Sequence, residues 1–165
     1  MIVLTRISSI NLKNKRMDKL EYIPGDLVMV KESALQFAKD KIFKVISSLS
    51  GGFVKVVMLN DSSTTYSISN NAIRPIPITP EILEKNGWER KVMSRGIKNS
   101  HLVYTKPDIE EYGYFPIYIE KGIGKEFDVY PFTYNNVCTQ IAYIKYVHEL
   151  QHLLFGIGIK HEMEV

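Results

Sequence analysis

We expect an α+β protein that is mostly β, and three features of the sequence predict it. Short runs of β-forming residues alternate with turn signals such as Pro24-Gly25-Asp26 and Gly51-Gly52. A second group of such runs follows Trp88. Apolar residues at helical spacing then continue to about Phe155, which predicts one long C-terminal helix.

Five short candidate strands follow one another closely in the first half of the chain. They are the runs 27–30, 41–48, 53–59, 65–69 and 72–78. Pro75 and Pro77 favour an edge position for the last run, because proline donates no ladder hydrogen bond. Glu32 to Lys39 reads as a helical turn or a long first loop. Five short strands in so short a stretch predict a small barrel of the SH3-like type.

The second half predicts an antiparallel meander packed on the C-terminal helix. Thr79 is a good N-cap, Pro80 suits the first helical position, and Gly87 can end this short linker helix. Candidate strands and the final elements are 88–93, 102–105, 115–120, 126–130, a helix from Asn135 or Asn136 to Phe155, and a last short strand over 160–165. The expected organisation is a basic N-terminal arm (1–19), the barrel (20–78) and the α+β region (79–165).

Composition sets broad limits on the class of protein. The 165 residues are 45% hydrophobic with a net charge of +3, values of an ordinary globular domain. The single cysteine, Cys138, excludes an intrachain disulfide. No apolar run approaches the roughly 20 residues that span a bilayer, and the N-terminus does not resemble a signal peptide. We expect no membrane contact and a location in the bacterial host cytoplasm or on a virion. Either Met1 or Met17 could be the start.

The run His148-Glu149-Leu150-Gln151-His152 matches the H-E-x-x-H pattern of zinc hydrolases. Two histidines four apart share a helix face and can bind one Zn²⁺, and the glutamate can act as general base on the bound water. A zinc-dependent hydrolase with His148 and His152 as ligands and Glu149 as catalytic base is therefore one alternative.

The sequence around this run favours the interpretation that the protein has no metal site, no cofactor and no catalytic residue. Catalytic zinc needs a third protein ligand. The extended pattern requires glycine and histidine where the chain has Phe155 and Gly158. The other candidate ligands are His161, Glu162 and Glu164.

Aromatic and basic residues in the second half predict a binding surface. Tyrosine, tryptophan and arginine are favoured at protein interfaces. The candidate surface residues are Trp88, Tyr104, Tyr114, Tyr118, Arg90 and Lys91. The competing interpretation places the aromatic members in a β core. Interleaved basic and aromatic residues also keep nucleic acid as an alternative partner.

The sequences of two segments resemble those of a group of small proteins encoded by phages, prophages and mobile elements of Bacteroides-type gut bacteria. The segments are I-R-P-I-P-I-T-P-E-I-L-E-K-N-G-W (73–88) and I-K-Y-V-H-E-L-Q-H-L-L-F (144–155). The resemblance implies an SH3-like barrel joined to an α+β region and carries no functional residues. The leading expectation is a non-enzymatic interaction module that contacts a phage or host protein. A nucleic-acid-binding accessory protein is the alternative, and a homo-oligomer stays open.

Overall fold

The computed structural model describes residues 22–94, 100–107, 117–122, 126–131 and 140–165. In these residues the fold is α+β and mostly β, with two five-stranded antiparallel sheets. The first sheet has the order β4-β3-β2-β1-β5 and the second the order β10-β9-β8-β7-β6. No helix among the described residues has the length and apolar character needed to span a membrane.

The first sheet follows the turn signals of the sequence closely. Its strands are β1 Leu27–Val30, β2 Ile42–Leu49, β3 Phe53–Met58, β4 Asp61–Ser69 and β5 Ile73–Pro75. Gly51 and Gly52, with φ of 85° and 77°, make the tight β2–β3 turn in a region that favours glycine. Single 3-10 turns occupy Gln36–Ala38 and Asn70–Ala72. The five predicted strands are confirmed, whereas the described strands do not close into a barrel.

The second sheet confirms the predicted meander. Its strands are β6 Glu89–Ser94, β7 Ser100–Thr105, β8 Ile117–Lys121, β9 Phe127–Pro131 and β10 Ala142–Ile144. The linker helix α1 spans Pro80–Lys85, and the Thr79 hydroxyl accepts a hydrogen bond from the Ile82 amide at 3.3 Å, as expected of an N-cap. The tail 160–165 has no regular structure, so the last short strand was wrong.

The prediction of one long C-terminal helix is wrong. The helix, α2, spans only Val147–Gly156. Ile144, which lies within the predicted helix, belongs to β10 and pairs with Phe127 of β9. The spacing of the apolar residues fits a helix. Pairing with the edge of an existing sheet competes with helix formation, and in this segment the strand pairing prevails. The proposed caps Asn135 and Asn136 lie outside the described residues.

Strand β1 is buried on both of its faces and joins two cores. On one face of β1, Val28 and Val30 pack against residues of β2 and β3 in the core of the first sheet. Leu27, on the other face, belongs to a larger core with α2 and the second sheet. That core contains Leu27, Ile76, Ile78, Leu83, Trp88, Tyr104, Ile119, Val129, Ile144, Leu150 and Leu154 among its buried members. The division into 20–78 and 79–165 stays a prediction, and one core draws on both ranges.

Candidate functional site

Glu149, the proposed catalytic base, bonds to the backbone at the start of α2. Its Oε2 accepts hydrogen bonds from the Lys145 amide at 2.6 Å and from the Tyr146 amide at 3.0 Å. A glutamate at the third helical position that reaches back to the preceding amides satisfies donors that the helix cannot. The carboxylate therefore fixes where α2 begins.

Gln151, a variable position in the H-E-x-x-H pattern, forms side-chain hydrogen bonds to three other segments of the chain. It is 1% exposed. Its Oε1 accepts from the Leu27 amide at 3.1 Å, and its Nε2 donates to the carbonyls of Gly25 at 3.1 Å and His161 at 3.3 Å. One side chain thus ties β1, the turn before it and the C-terminal tail to α2.

His152 pairs with a carboxylate from the other end of the chain. Its Nε2 lies 2.8 Å from Asp26 Oδ2, and the Asp26 side chain is 1% exposed while that of His152 is 30% exposed. The same Asp26 oxygen accepts from the Ile23 amide at 2.8 Å. Buried carboxylates need such partners, because desolvation otherwise penalises the charge heavily. Asp26 therefore anchors α2 to the turn before β1.

His148 is 6% exposed and packs among aromatic rings. Its ring centroid lies 5.0 Å from that of Tyr22 and 5.8 Å from that of Tyr146, the latter in a stacked arrangement. The His152 ring meets it edge-on at 5.7 Å. The imidazole thus fills the space between α2 and the chain segment that precedes β1.

The proposed third ligands do not complete a metal site in the part of the chain that the structure describes. No group of three or more His, Cys, Asp or Glu side chains is placed to hold a metal ion there. Through its backbone carbonyl His161 accepts from Gln151, and its ring contacts Phe155. Glu162 is exposed, and the Glu164 backbone bonds reciprocally with the Asn86 side chain.

We call the set Asp26, His148, Glu149, Gln151 and His152 the polar junction.

A second candidate site is the face of the second sheet that is turned away from α2, which we call the outer face. Register places two rows of side chains on it. The first row reads Lys91, Val103, Glu120, Asp128 and Tyr143 across the five strands; the second reads Glu89, Thr105, Tyr118 and Tyr130 across four. The face is buried at β7, where Val103 is 2% exposed, and open at β10, where Tyr143 is 66% exposed.

Two carboxylates oppose each other in the middle of this face. Glu120 and Asp128 are direct cross-strand neighbours. Burial and then the nearby charges of Glu120 and Glu126 raise the pKa of Asp128, and a hydrogen bond from Gln140 at 2.7 Å acts in the other direction. Like charges opposite each other destabilise a sheet. The negative charge of Asp128 is thus disfavoured by its surroundings, and Asp128 lies beside the exposed ring of Tyr143 on the outer face.

The structure separates the residues that we predicted as one binding surface. Trp88 and Tyr104 are each 2% exposed and belong to the larger core, so they cannot form a surface. Arg90 is exposed but shares its face with Tyr104, whereas Lys91 lies on the outer face. Tyr118 also lies there, half-buried. Tyr114 lies outside the described residues.

Sequence reasoning missed Tyr143 and Asp128 as surface residues. Tyr143 falls within the predicted long helix, and only its place in β10 turns it outward. The pairing of Asp26 with His152 was also missed, because 126 positions separate the two residues. Strand alternation in Glu126–Tyr130 could have indicated Asp128, but its opposition to Glu120 depends on register.

Comparison with known proteins adds no relative: no protein-family model, curated protein or solved structure matches this chain.

Proposed function

We propose that this protein is a non-enzymatic interaction module of phage or mobile-element origin that binds a phage or bacterial host protein through the outer face of its second sheet. One observation carries the proposal: Tyr143 exposes 66% of its surface beside the opposed carboxylates of Glu120 and Asp128. Tyrosine provides a large contact area at low entropic cost, and interfaces are enriched in it.

The charge on this face supports a partner that brings positive groups. Burial and the charges of Glu120 and Glu126 raise the pKa of Asp128, so a cationic side chain placed near Asp128 would favour its charged form, and charge complementarity would favour binding. The cation of Lys145 forms an ion pair with Glu126, which lies next to these strands. Tyr118 and Tyr130, which face each other across β8 and β9, would extend the contact.

The polar junction supports the non-enzymatic part of the proposal. Glu149 begins α2, Gln151 bridges three segments, and His152 pairs with buried Asp26. These contacts explain the H-E-L-Q-H run as a connection between the two halves of the fold. None of them requires a metal ion.

The origin and the finer fold belong to the same proposal. The resemblance of 73–88 and 144–155 to proteins of Bacteroides-type phages and mobile elements supports the origin, and with it a place in the host cytoplasm or on a virion. An SH3-like barrel for the first half is supported by the strand order β4-β3-β2-β1-β5 and by the 3-10 turn Asn70–Ala72 directly before β5.

The proposal is tested by site-specific photo-crosslinking in extracts of infected or host cells. The photoreactive amino acid p-benzoylphenylalanine replaces Tyr143 in one variant and Phe53, which is 45% exposed on the first sheet, in a matched control. We expect a discrete protein adduct at position 143 that excess wild-type protein suppresses, and none at position 53. Equal adducts at both positions, or none at 143, would contradict the proposal.

A further inference from the structure

The loop between β1 and β2 gathers cationic side chains on the first sheet, far along the chain from the outer face. A groove of about 210 Å³ opens there, lined by Val30, Lys31, Glu32, Ser33, Lys39 and Arg74. Lys31 and Lys39 are exposed, and the Arg74 side chain is 53% exposed. The lining presents three cations and one carboxylate, with a second carboxylate, Asp40, beside Arg74; the remaining excess of positive charge favours an anionic ligand.

The contacts inside this groove leave its cations available to a ligand. Lys31 Nζ donates to the Asn71 carbonyl at 2.8 Å, which positions the ammonium group without neutralising it. Arg74 Nη2 lies 3.7 Å from Asp40 Oδ1, and both side chains are largely exposed. Such long, exposed ion pairs are weak and screened by salt, so an incoming phosphate can compete with Asp40.

An exposed aromatic ring lies in the same loop. Phe37 is 43% exposed, and its ring centroid is 5.4 Å from that of Tyr66 and 5.3 Å from Lys41 Nζ. Phe37 precedes Lys39 by two residues, so their Cα atoms lie within about 7 Å of each other. The loop thus carries an exposed aromatic ring and a basic groove, the two elements with which proteins hold single-stranded nucleic acid.

We infer that the β1–β2 loop binds single-stranded nucleic acid, with phosphates in the groove of Lys31, Lys39 and Arg74 and a base stacked on Phe37. The phosphate contacts alone would accept a duplex equally well. Stacking on Phe37 requires an unpaired base and selects the single strand. This site is separate from the outer face and does not depend on the protein partner proposed for it.

The test measures binding of the full chain to a fluorescent oligonucleotide of about a dozen nucleotides, a site size typical of such proteins. We expect Phe37→Ala to weaken single-strand binding about tenfold, the loss of one stacked base. Lys39→Ala should weaken it severalfold and lower the slope of log affinity against log salt by about 1. Phe37→Trp, which keeps a stacking surface, should bind as the wild type does.

The matched controls are Phe53→Ala and Lys55→Ala, at exposed positions on β3. We expect both variants to bind the oligonucleotide as the wild type does. A duplex of the same sequence and a polyglutamate chain should bind the wild type more weakly than the single strand does. Free nucleotide should compete only weakly, because it offers one phosphate group and one base. Absent oligonucleotide binding at low salt, equal loss in the controls, or equal affinity for duplex, nucleotide or polyglutamate would overturn the inference.

Discussion

The polar junction and the outer face both carry charged and aromatic residues, yet they use them in opposite ways. In the junction, Asp26 and Gln151 are each 1% exposed, and their polar atoms bond to partners from distant segments. On the outer face, Glu120 opposes Asp128, and Tyr143 is 66% exposed. Chemistry-bearing residues that satisfy one another stabilise a fold. Like charges that face each other beside an exposed aromatic ring favour an electrostatic contact with a cationic partner.

Of the substitutions that distinguish the two regions, we expect the largest change in the free energy of unfolding at Gln151. A Gln151→Glu substitution keeps the acceptor for the Leu27 amide but turns a carboxyl toward the carbonyls of Gly25 and His161, which need donors. Above the pKa of the introduced carboxyl we expect a loss of about 2 kcal/mol in the free energy of unfolding, the cost of an unsatisfied buried group.

The loss should depend on pH with a definite sign. The folded protein would raise the pKa of the introduced carboxyl above its unfolded value of about 4.3. The destabilisation is therefore small below that value and grows as pH rises through the folded pKa. Urea unfolding at a series of pH values measures it, with the exposed Gln36→Glu as control. A variant whose stability follows the wild type at every pH would show that Gln151 is not a structural link.

A smaller effect of opposite direction is expected at Asp128. Because burial and the charges of Glu120 and Glu126 raise the pKa of Asp128, its charged form costs stability once pH exceeds the folded pKa. Asp128→Asn should therefore stabilise the protein at pH 7, by about 0.5 kcal/mol or less for a partly exposed group. The gain should disappear below the unfolded pKa of about 3.9.

Asp61→Asn is the matched control for that substitution. Hydrogen bonds from Ser63 lower the pKa of Asp61. The charged carboxylate therefore contributes to the stability of the fold above the unfolded pKa, and this contribution is lost as pH falls through the folded pKa. The control should lower stability at pH 7, not raise it. Thermal unfolding of both variants at pH 7 and pH 3 compares them directly, and a destabilised Asp128→Asn at pH 7 would refute the unfavourable charge on the outer face.

Local signals predicted most of the fold. Strand positions followed from turns at Gly51-Gly52 and Asn70-Asn71, and α1 followed from its cap at Thr79, since each of these signals acts within a few residues. The start of α2 was missed because an apolar spacing fits a helix and a strand over short stretches. Pairing of Ile144 with Phe127 decides between them, and that contact is not local.

The sites were less predictable than the fold for the same reason. Tyr104 and Tyr143 look alike in sequence, yet one is 2% exposed and the other 66% exposed, because strand register assigns them to different environments. The H-E-L-Q-H run drew attention by its spacing. The partner of its second histidine, Asp26, lies 126 positions from His152 and becomes apparent only when β1 packs against α2.

A double-mutant cycle between Asp26 and His152 tests most directly the claim that the H-E-L-Q-H run joins the two halves of the fold. The cycle compares the free energies of unfolding of the wild type, Asp26→Ala, His152→Ala and the double variant in urea. We predict that the two side chains couple by about 1–2 kcal/mol, as expected of a contacting, largely buried pair. Additive losses, within about 0.3 kcal/mol, would show that the pair does not hold α2 to β1 and would contradict the account.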